Sequence, residues 1–405
     1  MIRNFKIANF KSIVSANIPI GRFTVLIGEN GAGKSNILEA LVMASAASKG
    51  NLEREVLIGR GVRVPKPDLL GAAFSAVKKL QTIEFAIGYE TLAPVLNEVV
   101  FRLQHSGIPY DNWEKVAPKT KNNVYATNLE ATLRLLLNSL SPGQQKAELK
   151  RIRNYMGNGA AILTGRANLP DAILELVGSV VEQKNIENFT LYSPDYYTLR
   201  NFVAEGQTAP LGTRGEGLLQ LLTVMQRNEP KRLAAVNDGL EILGWFKALD
   251  LKALAQNASE NRLQVKDRFI KRRGVVLDQL STNEGFLFCL FYLVLFASSN
   301  TPDAFAIENI ENGLNPKLCE ALVQKLKILG ERYGKQVIVS THSPSVLDAL
   351  NLDNPEEKLI AVDRNVDGHT RINVIKKPRQ IGGKTTRLSE LFLQGHLGGL
   401  PRNFV

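Results

Sequence analysis

Eight consecutive residues near the start of the chain carry the clearest chemistry. Gly28-Glu29-Asn30-Gly31-Ala32-Gly33-Lys34-Ser35 fits the spacing G-x-x-x-x-G-K-[ST]. Each part of that spacing has a physical task. Glycines let backbone N–H groups curl around phosphate oxygens, and the helix that follows adds the positive potential of its N-terminus. The lysine reaches the β- and γ-phosphates, and the hydroxyl can ligate magnesium. Gly28, Asn30, Gly31, Ala32, Gly33, Lys34, Ser35 and the adjoining Asn36 are therefore candidate nucleotide-binding residues. The ligand this pattern calls for is ATP with Mg2+, with Lys34 as a candidate catalytic group and Ser35 as a metal ligand. The bland alternative is a glycine turn before a helix.

Three later segments could complete such a site. Ala304-Phe305-Ala306-Ile307 is an apolar run that leads into Glu308-Asn309-Ile310-Glu311 and resembles a Walker B strand. Such a strand delivers one carboxylate to magnesium and a second to the attacking water. Glu308 stands in the metal-ligand place, where an aspartate is usual, and Asn309 occupies the usual place of the catalytic glutamate. An amide cannot accept a proton as a general base, so either Glu311 takes that role or hydrolysis is slow. His342, within Ser340-Thr341-His342-Ser343-Pro344, is a candidate γ-phosphate contact at a strand end. Ser281-Thr282-Asn283-Glu284-Gly285 opens an apolar helix, where a small polar residue and a glycine can hold phosphate through backbone N–H groups. Either Ser281 or Asn283 could stand at the serine position of that segment, ahead of Gly285; a simple N-cap is the alternative. His105, His369 and His396 have no metal-ligand spacing.

The elements that must position these residues follow from periodicity. Phe5–Asn9 and Phe23–Ile27 read as strands, the second running straight into the glycines. From Lys34 the apolar residues Ile37, Leu38, Leu41 and Val42 recur at helical spacing, giving the order strand, glycine loop, helix. Phe286–Ala297 suits a buried helix and is too short for a membrane span. Asn315 and Pro316 make a helix start, and Leu318, Leu322, Leu326 and Leu329 give that helix one apolar face. Gly330 and Gly334 bracket its end. Ala304–Ile307 and Val337–Ser340 then close a βαβ unit with parallel strands and a right-handed crossover, and the residues at both strand ends face one crevice. Residues 48–187 carry no chemical motif. They hold a strand pair, Thr82–Tyr89 and Val95–Leu103, and read as an inserted, partly helical lid or arm. The chain divides accordingly into residues 1–47, 48–187 and 188–405.

Composition sets outer limits. The chain has 405 residues, 44% hydrophobic and 22% charged, which is enough for two or three domains or one with a large insertion. No apolar run approaches the length of a membrane span and the N-terminus lacks the apolar stretch of a signal peptide, so a cytoplasmic protein without membrane contact is expected. Cys289 and Cys319 are expected to be packing residues. A net charge of +11 suits an acidic partner such as nucleic acid, or simply a soluble surface. Two basic runs, Lys146 with Lys150, Arg151 and Arg153, and Lys266–Arg273, read as solvated helix faces.

The phosphate loop, Ser281–Gly285, Ala304–Pro316 and Ser340–Pro344 together, in that order, resemble the ABC-type ATPase head of the RecF, SMC and Rad50 group. The opening Phe5-Lys6-Ile7-Ala8-Asn9-Phe10-Lys11-Ser12 is similar to that group's start. The resemblance covers about the first 45 residues and the last 200. It implies an α/β fold, a P-loop head with a mixed sheet, in which Lys11 contacts nucleotide. It also implies a homodimer or higher homo-oligomer, with each ATP held between the P-loop of one head and the signature segment of another. More narrowly, Asn283–Phe286, Glu308–Pro316 and the ending Leu388–Leu391 through Gly395–Gly399 resemble the Septu-type and retron-associated ATPases of anti-phage systems. That resemblance implies a separate nuclease subunit, often of the HNH type, and in the retron version a reverse transcriptase with its RNA-linked DNA. The competing expectations are a DNA-repair or chromosome-maintenance ATPase and a non-hydrolysing, ATP-bound scaffold.

Overall fold

The structure is a computed structural model that describes residues 1–64, 69–72, 82–90, 98–105, 113–116, 143, 186–201, 210–250, 263–272, 275–377 and 387–399. Their strands are β1 (Ile2–Phe10), β2 (Ile13–Pro19), β3 (Phe23–Ile27), β4 (Ile83–Tyr89), β5 (Glu98–His105), β6 (Trp113–Val116) and β7 (Leu191–Tyr192). These are followed by β8 (Phe246–Asp250), β9 (Gln264–Asp267), β10 (Ala304–Ile307), β11 (Gln336–Ser340), β12 (Glu357–Arg364) and β13 (Thr370–Ile375). The helices are α1 (Lys34–Ser48), α2 (Arg54–Gly59), α3 (Tyr196–Asn201), α4 (Leu218–Asn228) and α5 (Pro230–Leu240), then α6 (Glu284–Ala297), α7 (Pro316–Tyr333), α8 (Pro344–Asp348) and α9 (Leu388–Leu393).

The sheet that bears the candidate site has the order β13-β12-β3-β11-β10-β7. Its pairs are parallel except β12 with β13, so the sheet is mixed. Strands in such a sheet are covered on both faces and read as unbroken apolar runs. All five residues of β3 are buried. Phe23, Val25 and Ile27 enter one core with α6 and α7, whereas Leu26 enters the other with α1. That apolar continuity, stopped by glycine, is why the bounds expected for β3 coincide with those observed. The pairing of β10 with β11 gives the parallel strands expected of the βαβ unit. Its helix α7 starts where Asn315 accepts a hydrogen bond from the Leu318 amide at 3.0 Å, with Pro316 in the first turn. It stops at Gly334, whose φ of 71° is left-handed, while Gly330 lies within the helix.

A second, antiparallel sheet has the order β2-β1-β4-β5-β6. Its outer three strands come from the 48–187 stretch, so this sheet crosses the boundary drawn at residue 47, because β4 pairs along most of β1. The rest of that stretch lies largely outside the described residues, as do Lys146, Lys150, Arg151 and Arg153. The other basic run is not helical. Lys266 and Asp267 end β9, and the residues that follow through Arg272 are bends and irregular chain. Lys266 pairs there with Asp250 across the β8–β9 ladder at 2.7 Å.

Helix α6 is the apolar centre of the larger core: every residue from Phe286 to Ala297 is buried, Cys289 among them, and Cys319 of α7 is buried in the same core. Among the described residues no helix is long and apolar enough to cross a membrane.

Candidate nucleotide site

The phosphate loop leaves β3 at Gly28 and enters α1 at Lys34. Two of its glycines are required by close approach. A Cβ on Gly28 would lie 2.2 Å from the Val362 carbonyl oxygen, and one on Gly33 would lie 2.2 Å from Thr370 Oγ1. Gly33 also has a φ of 113° and Gly31 one of 78°, left-handed values that L side chains resist. The loop is braced from outside as well. Arg364 Nε donates to the Gly31 carbonyl at 2.8 Å, and Thr370 Oγ1 donates to that of Ala32 at 2.9 Å.

Lys34 is buried, and its ammonium donates to the carbonyls of Gly28 (2.8 Å) and Glu29 (3.0 Å). Burial lowers its pKa, and the charges of Glu311, Glu308 and Glu29 partly restore it. Three carboxylates therefore act electrostatically on the Lys34 ammonium. Ser35, the next residue, donates its hydroxyl to Glu308 Oε1. Strand β10 thus brings the acid, 273 residues away in sequence, directly onto the loop's hydroxyl. A hydroxyl and a carboxylate are the hard oxygen donors that Mg2+ takes, and the rest of its shell would come from phosphate and water. The donor set fits the ion.

Asn309, just beyond Glu308, has a left-handed φ of 51°, and its amide donates to Ser340 Oγ at 3.1 Å. Glu311 is pinned to the end of β11: its carboxylate accepts from Thr341 Oγ1 at 2.8 Å and from the His342 amide at 2.7 Å. The His342 side chain is exposed at this edge. Partial burial and the Lys34 charge lower its pKa, while Glu311 opposes them. Lys34, Ser35, Glu308, Glu311 and His342 are therefore one cluster, drawn from three neighbouring strand ends.

Other candidates are placed differently. Lys11, with a left-handed φ of 48°, turns its ammonium onto Glu39 of α1 and the Arg63 carbonyl, the latter at 3.1 Å. Glu39 has no exposure, and its second oxygen accepts from Arg63 Nε at 2.7 Å. Arg63 also approaches Glu308 at 4.0 Å, so Lys11 is linked to the cluster through Glu39 and Arg63. Asn36 donates to Ser12 Oγ at 2.6 Å, beneath the loop. Asn283 is the N-cap of α6, accepting from the Phe286 amide at 2.9 Å, while Ser281 is tied to Asp278 by a 2.7 Å hydrogen bond. Gly285 packs toward the Gly313 carbonyl. Among the described residues no hydrogen bond or ion pair joins Ser281, Asn283 or Gly285 to the loop. Arg63, Arg364 and Thr370 escape sequence reasoning, because each is a single residue on a distant element with no pattern around it; Ser12 ends the opening segment Phe5–Ser12, but its spacing signals no role.

Residues 246–348 match a family model described as an AAA domain, putative AbiEii toxin, Type IV TA system, and residues 1–83 match one described as an AAA ATPase domain. No curated protein matches the chain. Among solved structures it is similar to the Smc head bound to the C-terminal winged-helix domain of ScpA, with a TM-score of 0.54 and 15% identity over 93% of this chain and 98% of that one. It is also similar to the SMC head domain from Thermotoga maritima, with a TM-score of 0.44 and 13% identity over 93% and 99% of the two chains. The fold is that of an ABC-type ATPase head. Together with the two ATPase-domain matches it supports a P-loop, nucleotide-binding ATPase.

Proposed function

We propose that the chain binds Mg2+-ATP and turns it over slowly, as the nucleotide-gated switch or scaffold subunit of an anti-phage defence complex with a separate nuclease. The observation that carries the ATP site is the direct Ser35–Glu308 hydrogen bond beside Lys34. The loop amides and Lys34 bind the phosphates; Ser35 and Glu308 hold the metal, which supplies charge neutralisation to the phosphate oxygens. Glu311 keeps Thr341 and the His342 backbone in place at the γ-phosphate end. With both its oxygens so engaged, Glu311 is better suited to positioning than to proton abstraction, and Asn309 cannot accept a proton. Slow turnover follows, and with it a long-lived ATP state. The toxin–antitoxin description of the 246–348 match is in keeping with a defence setting. In this reading two heads close around two ATP molecules, with Ser281–Gly285 of one facing the loop of the other, and the closed pair holds an HNH-type nuclease, or a retron reverse transcriptase with its RNA-linked DNA.

The test is bound-nucleotide content and ATP turnover of the purified chain beside Lys34→Ala and Asn309→Glu. The expected result is retained ATP and slow turnover in the wild type, loss of ATP in Lys34→Ala, and turnover accelerated by about tenfold or more in Asn309→Glu. Brisk wild-type hydrolysis abolished by Glu311→Gln would assign the base to Glu311 and remove the stalled-state argument. The SMC-head fold favours a second reading, a repair or chromosome-maintenance ATPase. That reading requires turnover that rises when duplex DNA is added, and no neighbouring gene for a nuclease or reverse transcriptase.

A further inference from the structure

Two buried hydroxyls from opposite ends of the chain meet under the phosphate loop. Ser12, in the β1–β2 turn, and Thr370, the first residue of β13, are both buried, and their hydroxyl oxygens are 2.7 Å apart. Proton counting gives this contact a direction. Thr370 has one hydroxyl hydrogen and donates it to the Ala32 carbonyl at 2.9 Å. Ser12 must therefore donate to Thr370, and its oxygen in turn accepts from Asn36 Nδ2 at 2.6 Å. The result is a one-way chain from Asn36 through Ser12 and Thr370 to Ala32. It ties the first turn of α1 back to the loop that precedes it. The Thr370 amide also donates to the Ser12 carbonyl at 2.8 Å, which fixes the two strands relative to each other. Gly33 must lack a Cβ because Thr370 Oγ1 fills that place, so loop and threonine are matched in shape as well as in hydrogen bonding.

We infer that Thr370, relayed by Ser12, is a positioning residue for the phosphate loop: it turns the Ala32 carbonyl away from the phosphates and so aims the amides of residues 31–34 at them. The inference rests on the ATP-binding reading. A carbonyl free to rotate would present its negative end to an anionic ligand, whereas a buried hydroxyl holds it by a bond that water does not replace. Thr370 lies on β13, two strands from β3 in the sheet, and reaches the loop through its hydroxyl.

The test uses the full chain and compares wild type, Thr370→Val, Thr370→Ser and Ser12→Ala in two measurements. One is Mg2+-ATP affinity by titration calorimetry. The other is hydrogen exchange of the amides of residues 31–34 in the nucleotide-free protein. Thr370→Val keeps the shape and removes the hydroxyl, and is expected to weaken ATP about tenfold and to speed exchange in the loop alone. Thr370→Ser keeps the hydroxyl and restores both. Ser12→Ala acts in the same direction as Thr370→Val from the β1–β2 turn, which covers the case in which the valine variant fails to fold. Wild-type affinity and exchange in Thr370→Val, or equal losses in Thr370→Val and Thr370→Ser, overturn the inference. Failure of the wild type to bind ATP overturns the ATP reading, and the exchange measurement then decides positioning by itself.

Discussion

Glu39 has no solvent exposure and holds Lys11 on one oxygen and Arg63 on the other. Removing Glu39 leaves the Lys11 side chain, 13% exposed, without its partner at a cost of about 3 kcal/mol, whereas that of Arg63, 65% exposed, stays hydrated. Glu39→Ala is therefore expected to lower the unfolding free energy by that order in a urea titration, and to loosen Arg63 from Glu308; a loss below ~1 kcal/mol would show that the pair is not structurally coupled. Lys335 gives a prediction in pH. It is buried, donates to the Thr301 and Pro302 carbonyls, and its pKa is lowered by burial to about 8, with Asp303 opposing. The folded value lies below the unfolded value of 10.5, so between the two the unfolded chain holds a proton that the folded one does not. Stability contributed at this site rises with pH across that window. Relative to Lys335→Met, the wild type is expected to gain on the order of 2 kcal/mol from pH 7.5 to 10, read from thermal midpoints. At this scale the sequence is legible where chemistry is contiguous. Gly28–Ser35 announces itself because spacing alone encodes it, and Glu308 because an apolar strand precedes it. Arg63, Arg364 and Thr370 do not, since their roles exist only after distant strands pair.

Elements are legible where a local rule stands alone. The buried run of β3, the apolar length of α6 and the Asn315-Pro316 start of α7 all appear where the residues put them. Asn315→Ala is expected to cost about 1 kcal/mol through loss of the bond to Leu318, with Asn315→Ser recovering most of it. Asn283 caps α6 by the same geometry. Asn283→Ser should preserve the cap, and with it the ATP-dependent self-association that the proposed closure of two heads calls for, read by light scattering, whereas Asn283→Ala reduces stability by about 1 kcal/mol. Strand β1 buries Ile2, Phe5, Ile7 and Phe10 at irregular spacing, with a register shift between Ile2 and Asn4, and only its middle is evident from the sequence, because the flanks take their strand form from pairing with β2 and β4. The run Lys266–Arg273 misleads for a related reason: charge clustering has no period, and pairing with β8 draws its first residues into a strand.

At the scale of the molecule, sequence order and spatial order part company. The two cores lie on opposite faces of the β13-β12-β3-β11-β10-β7 sheet, and strands from both ends of the chain contribute to it. Motif order identifies the head fold, but it does not reveal that β4, β5 and β6 extend the N-terminal sheet or that the segment at Gly399 packs on Gly28, where an added Cβ would lie 3.1 Å from the Gly28 Cα. Ligand binding to a site assembled this way stabilises the whole fold by mass action, by about 2.7 kcal/mol at a hundredfold excess over Kd. Mg2+-ATP is expected to raise the thermal midpoint of the wild type and to leave that of Lys34→Ala unchanged in differential scanning fluorimetry.

The position of β3 has a consequence for biosynthesis. Its sheet neighbours are β11 and β12, which begin at Gln336 and Glu357, so a ribosome has finished the phosphate loop long before it makes the strands that give the loop a shape. Until then nucleotide has nothing to grip, and the apolar β3 and α6 wait without their final cover. A bound nucleotide could therefore stabilise the completed chain but not the nascent one, and in the interval between the two the apolar strand is open to wrong association.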